Sequence, residues 1–176
     1  FIANIEGNES NWILQQSLRG LECMEHRGGC GGDNDSGDGA GVLCSIPWTF
    51  LDKKFHLDLD KSKNLGLGMI FLPEDENLKQ KLKLICDNEA FKLNCEKTSW
   101  RKVPVNKNVL GPLAKSNAPC IIQWLVSFQK NKEIDFEFLL FQLRKRIEKK
   151  VRDNIINPDE FYFASLSSKT VVYKGM

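Results

Sequence analysis

The residues best able to do chemistry in this sequence fall in one stretch, His26-Arg27-Gly28-Gly29-Cys30-Gly31-Gly32-Asp33-Asn34-Asp35-Ser36-Gly37-Asp38-Gly39-Ala40-Gly41. Seven of its sixteen residues are glycine, of thirteen in the whole chain. Glycine this dense weakens any helix or strand interior, so the stretch reads as a loop that needs positive φ angles or close backbone approach. A phosphate cradle would carry a lysine and open a helix, whereas here the charges are acidic and the apolar pair Val42-Leu43 follows. Asp33-x-Asp35-x-Gly37 starts like a calcium loop, but Asp38 stands where glycine is required and Cys44 where a bidentate glutamate belongs. Arg27 remains, at the junction of a helix and the loop. Its guanidinium can hold a carboxylate in a bidentate fork, or pair internally with Asp33, Asp35 or Asp38. The residues alone leave both open. His26 reads as a structural side chain satisfied by backbone, and the internal Cys30 as packing. A thiol enzyme pairing Cys30 with His26 is the competing chemistry, and a non-catalytic ligand-binding domain the third reading.

Several elements must position this loop. Ser10 to Met24 predicts a helix capped by Ser10, with Leu14, Leu18, Leu21 and Met24 as one apolar stripe. Gly20 inside it, at a cost of about 1 kcal/mol against alanine, suggests close packing on a sheet. Gly41–Ile46 reads as a buried strand stopped by Pro47, and a short helix follows through Phe50 and Leu51. Leu65–Leu72 is a second apolar strand, ended by Pro73. Glu74 to about Asn88 is helical, with Leu78, Leu82 and Ile85 inward. Short extended pieces are expected at Phe91–Cys95 and Trp100–Val103. A connection punctuated by Gly111-Pro112 and Ala118-Pro119 leads to the strongest strand, Cys120–Phe128. Asp135 to Arg152 predicts the longest helix, with Phe136, Leu140, Leu143, Ile147 and Val151 inward. Arg144, Lys145, Arg146, Lys149, Lys150 and Arg152 cluster toward its C-terminal end, a solvated face that complements the helix dipole. Phe161–Leu166 and Thr170–Tyr173 alternate across Ser167-Ser168-Lys169 and read as an antiparallel hairpin. Strands and helices mixed in this way give an α+β class with sheets layered against helices.

Composition narrows the function class. At 176 residues, 41% hydrophobic and 27% charged, the chain can bury a real core. A net charge of +2 gives no electrostatic argument for nucleic acid or a membrane surface, and no apolar run approaches the roughly 20 residues of a membrane span. The six cysteines form no C-x-x-C pair, and neither His26 nor His56 completes a zinc spacing. Reduced structural thiols are expected. Nineteen lysines against six arginines, with fourteen asparagines, suggest an AT-rich genome. The chain opens on Phe1-Ile2-Ala3 as if in mid-strand and closes on Tyr173-Lys174-Gly175-Met176 without a terminating element. Both ends read as cut.

Four stretches carry a resemblance: Phe1-Ile2-Ala3; His26-Arg27-Gly28-Gly29 with Ser36-Gly37-Asp38-Gly39-Ala40-Gly41; Trp100-Arg101-Lys102-Val103-Pro104-Val105-Asn106; and Ser165 through Met176. Together they resemble the N-terminal class II glutamine amidotransferase domain of glutamate synthase, from the first residue of the chain to the last. The resemblance implies an αββα sandwich of the N-terminal-nucleophile hydrolase type, here a partial domain over 1–176, incomplete at both ends. It implies glutamine as substrate, hydrolysed through a glutamyl thioester on an N-terminal cysteine. That cysteine is expected upstream of Phe1, so no catalytic residue is assigned and these residues alone are expected to be inactive. Arg27 matches the family's arginine for the α-carboxylate of glutamine, with Gly28 and Gly29 letting the loop approach. The oxyanion hole and the group that binds the substrate's amine are expected downstream of Met176. In the full enzyme the resemblance implies FMN and a three-iron (3Fe–4S) cluster in other domains. Its ammonia goes to 2-oxoglutarate, with electrons from ferredoxin or a nicotinamide-linked small subunit. The compositional bias favours ferredoxin and a plastid stroma, with a bacterial cytoplasm as alternative.

Overall fold

The computed structural model describes the chain except residues 9, 30, 34, 56–62, 132 and 176. Cys30 and His56 therefore lie outside the described residues. In chain order the elements are α1 (Asn11–Glu22), β1 (Ala40–Ser45), α2 (Trp48–Phe55), β2 (Lys63–Leu72), α3 (Glu76–Phe91) and β3 (Cys95–Lys102). There follow α4 (Pro112–Ser116), β4 (Cys120–Gln129), α5 (Phe136–Asn154), β5 (Tyr162–Ser167) and β6 (Thr170–Gly175). The chain divides into two compact units, one of Phe1–Cys44, Asn106–Ala118 and Val172–Met176, the other of Ser45–Val105 and Pro119–Val171.

The second unit is built on an antiparallel sheet in the order β3-β4-β2-β5. β2 and β4 run side by side over their full length, Lys63 opposite Gln129 and Leu72 opposite Cys120. Ile70, Leu72, Ile122, Trp124, Val126 and Phe128 point from these strands toward α3 and α5. There they meet Leu82, Cys86 and Ala90 from α3 and Leu140, Leu143, Ile147 and Val151 from α5. Leu67, Met69 and Leu125, from the alternate positions, are buried as well. Both faces of the central strands are thus out of water, which is why β2 and β4 read as near-continuous apolar runs rather than as alternation. Trp124 stacks on its cross-strand partner Trp100, with ring centroids 5.4 Å apart. Both indole N–H groups donate to the Asp87 carboxylate on α3, at 3.0 Å each. A buried tryptophan needs such an acceptor, and one carboxylate serves two rings.

The helices of this unit are capped as their sequences dictate. The Asp75 side chain accepts the Leu78 amide at the start of α3, and Asp135 accepts those of Glu137 and Phe138 at the start of α5. Of the inward residues predicted for α5, four are fully buried and Phe136 is half-buried. The basic cluster on α5 is only partly the solvated face that its charge suggests. Lys149, Lys150 and Arg152 are exposed. Arg144 instead pairs with Glu148 and donates to the Phe163 carbonyl, and Arg146 reaches Glu89 on α3. Burial alone would raise the Glu89 carboxyl; hydrogen bonds from Lys92 and Arg146 outweigh it and bring the group below the ordinary range.

Four sequence expectations are corrected. Phe91 belongs to α3, and the chain turns through Asn94, at φ 63°, before β3 begins at Cys95. Phe1–Ala3 is irregular rather than mid-strand. β1 forms where expected but is largely exposed, Leu43 included, because it belongs to a two-stranded sheet with β6. β5 and β6 form no hairpin, since β5 pairs with β2. The reason lies at Glu137 on α5. Its carboxylate accepts the Ser167 hydroxyl at 3.0 Å, and the Ser168 amide and hydroxyl at 2.7 and 2.6 Å. The Ser167 hydroxyl also accepts the Lys169 and Thr170 amides, so the chain turns locally while the serines grip a helix.

In the first unit α1 begins where predicted, with Ser10 Oγ accepting the Ile13 amide. None of its residues is fully buried: of the expected apolar stripe Leu14 and Leu21 are half-buried, and Leu18 and Met24 are exposed. A Cβ added at Gly20 would meet nothing within 4 Å, which removes close sheet packing as the reason for that glycine.

Candidate functional site

The glycine-rich stretch is ordered from its backbone outward. α1 ends at Glu22, and a single 3-10 turn, Glu25–Arg27, carries the chain away from it. The Arg27 amide donates to the Met24 carbonyl and the Gly28 amide to the Glu25 carbonyl, both at 2.9 Å. This fixes the backbone of Arg27 while its side chain stays exposed. Arg27 makes no ion pair among the described residues. His26 is likewise exposed and has no hydrogen-bonded side chain among them, contrary to a backbone-satisfied role.

Two of the three aspartates that could have neutralised Arg27, Asp33 and Asp38, are engaged elsewhere. Asp38 Oδ2 accepts the Gly29 amide at 2.8 Å, closing the bend across nine residues. Asp33 Oδ1 accepts the amides of Asp35 and Ser36, while its Oδ2 accepts the Ser36 hydroxyl at 2.7 Å and the Leu113 amide at 2.8 Å. The Leu113 amide, the Ser36 hydroxyl and the Ser36 amide hold the Asp33 carboxyl down at about 2, each favouring its charged form. Ser36 Oγ in turn accepts the Ala114 amide at 2.9 Å, and Ser36 is buried in a bend whose other described residues are exposed or half-buried.

Leu113 and Ala114 are where α4 needs acceptors. Pro112 at its first position has no N–H, so the next two amides are the first free donors of the helix. Gly111 admits the close approach, because a Cβ there would lie 2.8 Å from Asp35 Cβ and from Ser36 Oγ. Gly39, at φ +86°, is a described glycine of the bend in the left-handed region. Of the pair Gly28-Gly29, Gly28 has extended backbone open to any residue, whereas a Cβ at Gly29 would approach the Asp38 carboxylate to 3.0 Å. The sequence marked the glycines and Arg27. It missed the clasp of Asp33 and Ser36 on Leu113 and Ala114, because eighty residues separate the partners. Gly111-Pro112 was the legible half: it announces a helix start in need of acceptors, without saying where they come from.

The described cysteines Cys23, Cys44, Cys86, Cys95 and Cys120 are free thiols. Burial pushes the thiols of Cys44, Cys86 and Cys95 up, so they remain protonated and are poor nucleophiles. Among the described residues no three of His, Cys, Asp and Glu are arranged to hold a metal ion, and no helix is long and apolar enough to cross a membrane.

A family model described as Glutamine amidotransferases class-II matches residues 1–176. The chain belongs to that family. Its α+β mixture of helices and antiparallel sheet agrees with a class II glutamine amidotransferase of the N-terminal-nucleophile hydrolase type. Over 180 residues it is 42% identical to ferredoxin-dependent glutamate synthase 1, chloroplastic/mitochondrial, of Arabidopsis thaliana. It is also 42% identical, over 185 residues, to a ferredoxin-dependent glutamate synthase of Antithamnion sp.. Identity is 39% over 180 residues to ferredoxin-dependent glutamate synthase 2 of Synechocystis. Each comparison covers all of this amidotransferase chain but only 11–12% of the relative's length.

Proposed function

We propose that residues 1–176 are part of the glutaminase domain of a ferredoxin-dependent glutamate synthase, with Arg27 seating the α-carboxylate of glutamine. The family match along the whole chain carries this reading, joined by relatives that bear that enzyme's name. The role of Arg27 is supported by its exposed guanidinium, free of ion pairs among the described residues, in a stretch where the carboxylates of Asp33 and Asp38 already accept backbone amides. A free guanidinium offers a carboxylate two parallel charge-assisted hydrogen bonds. Gly28 and Gly29 keep side chains out of the path of the ligand's backbone atoms.

In this reading the thiolate of an N-terminal cysteine, upstream of Phe1, attacks the side-chain amide carbon of glutamine. The carbon–nitrogen bond breaks, and ammonia leaves with the proton that the chain's α-amine had taken from the thiol. Water then hydrolyses the thioester to glutamate. No residue within 1–176 is assigned the attack, and these residues by themselves are expected to release no glutamate. Ammonia passes to 2-oxoglutarate, which is aminated and reduced with electrons from ferredoxin. FMN and a 3Fe–4S cluster serve that half-reaction from other domains. A plastid stroma is the proposed location, in line with the chloroplast names among the relatives. The Synechocystis relative supports a bacterial cytoplasm as the second reading.

The test is Arg27→Ala in the full-length enzyme. Losing a bidentate charge-assisted contact worth about 1.5–3 kcal/mol should raise KM for glutamine about 10- to 150-fold and leave kcat much less changed. Arg27→Lys should fall between, since an ammonium cannot reproduce the planar fork. An unchanged KM removes Arg27 from the site.

A further inference from the structure

The amidotransferase reading gives the bend a ligand to seat, and its internal bonds suggest what keeps it ready. The Asp33 carboxylate uses both oxygens, one on the amides of Asp35 and Ser36 and the other shared between the Ser36 hydroxyl and the Leu113 amide of α4. Ser36 stands between the bend and α4, donating its hydroxyl proton to Asp33 and accepting the Ala114 amide. The Gly31 amide closes onto the Ser36 carbonyl at 2.5 Å, so the glycine-rich segment after Arg27 is tied to the residue that holds α4. Without these bonds seven glycines in sixteen residues would leave the backbone free to sample many states, each of which must be lost when a ligand binds. We propose that Asp33 and Ser36 are positioning residues for glutamine: by clasping the first free amides of α4 they hold the bend after Arg27 in its receptive form before substrate arrives. The proposal rests on the bend being the glutamine-binding element, and it touches no reacting atom.

The clasp makes a graded forecast. An asparagine at position 33 has one acceptor oxygen in place of two, so it can keep the contacts to the Asp35 and Ser36 amides or those to the Ser36 hydroxyl and the Leu113 amide, but not both sets. A serine-to-alanine change at position 36 removes a donor and an acceptor while leaving the backbone contact to Gly31. A ligand that must first order its own loop binds in proportion to the fraction of competent loop, so the loss should appear in KM and not in the rate at saturation.

The experiment uses the full-length enzyme and L-glutamine. Steady-state glutamate release is measured for Asp33→Ala, Asp33→Asn, Ser36→Ala and Arg27→Ala, together with hydrogen exchange of residues 28–39 and 111–116. Expected are a KM raised about tenfold for Asp33→Ala, a smaller rise for Asp33→Asn and Ser36→Ala, kcat within about threefold, and faster exchange confined to the two segments. If Asp33→Ala does not fold, Asp33→Asn carries the comparison. A KM changed by Arg27→Ala but by none of the clasp variants overturns the positioning role and leaves the substrate assignment standing. A KM changed by the clasp variants but not by Arg27→Ala upholds positioning and moves the carboxylate contact elsewhere. Faster exchange with no change of KM in any variant overturns both. Unchanged exchange in Asp33→Ala overturns the clasp.

Discussion

The sheet β3-β4-β2-β5 with its helices and the bend after α1 reach order by opposite routes. In the first, Leu67, Ile70, Leu72, Trp124, Leu140 and Leu143 are all removed from water, and hydrogen bonds serve mainly to satisfy what burial would otherwise orphan. In the second, Ser36 is buried among described residues that are exposed or half-buried, and carboxylates catch backbone amides one by one. Burial is non-directional and strong in sum; it yields a close-packed body whose parts hold and fail together. Amide-catching is directional and local. It fits a surface that has to keep a guanidinium solvated and available while its backbone is held still. The comparison is sharpest where one route is cut and the other should not notice.

The largest effect is expected from Trp124→Ala. It removes the biggest fully buried side chain, its stacking on Trp100, and one of two indole bonds to Asp87. Unfolding free energy should fall by about 3–5 kcal/mol, read from denaturant midpoints, while amide exchange within 28–39 is unchanged below global unfolding. A loss under about 1 kcal/mol would mean that the sheet is not the organising core. Glu137→Ala comes next. It strips the acceptor from the Ser167 hydroxyl and from both the amide and hydroxyl of Ser168, and should cost about 1.5–3 kcal/mol. Its exchange signature should lie at residues 165–170, where the chain leaves β5, and nowhere in the glycine-rich bend.

Asp33 gives the bend its own pH signature. Its carboxyl is held at about 2, below its ordinary 3.8, by amides and a hydroxyl that bind only the charged form well. A depressed pKa contributes stability that is fully present above the ordinary value and is lost as pH falls through the folded one, so the window lies between about 4 and 2. The Leu113 and Ser36 amide resonances should therefore stay flat between about pH 8 and 5 and titrate with a midpoint near 2. A midpoint at the ordinary carboxylate value would show that the clasp does not form in solution.

What was legible in the sequence follows the same division. Burial leaves a periodic trace, so β2, β4, α3 and α5 could be placed from apolar spacing to within a few residues, and Asp135 marked the start of α5; the Asp75 cap of α3 was not read. The tight packing inferred from Gly20 and the hairpin inferred from Ser167-Ser168-Lys169 failed because each depends on a partner distant in sequence. At Gly20 the partner is absent, and at the serines it is Glu137. Around the candidate site the glycines and Arg27 were visible by type. The competition for the aspartates was not, since the Asp33 carboxylate looks the same whether it pairs with Arg27, six residues away, or with an amide at Leu113.

The smallest predicted effect tests the least buried element. α1 has no buried residue, and a Cβ at Gly20 would meet nothing within 4 Å. At such a site alanine gains on two counts. It restricts the unfolded chain and removes the poor helix propensity of glycine, with no steric charge against it. Gly20→Ala should therefore stabilise α1 by about 0.5–1 kcal/mol, seen as slower exchange of the Asn11–Glu22 amides with little change in the global midpoint. The sign is what matters. If Gly20→Ala destabilises instead, a surface lies against that face of α1 in solution, and the helix that leads into Arg27 is held from outside rather than by its own hydrogen bonds.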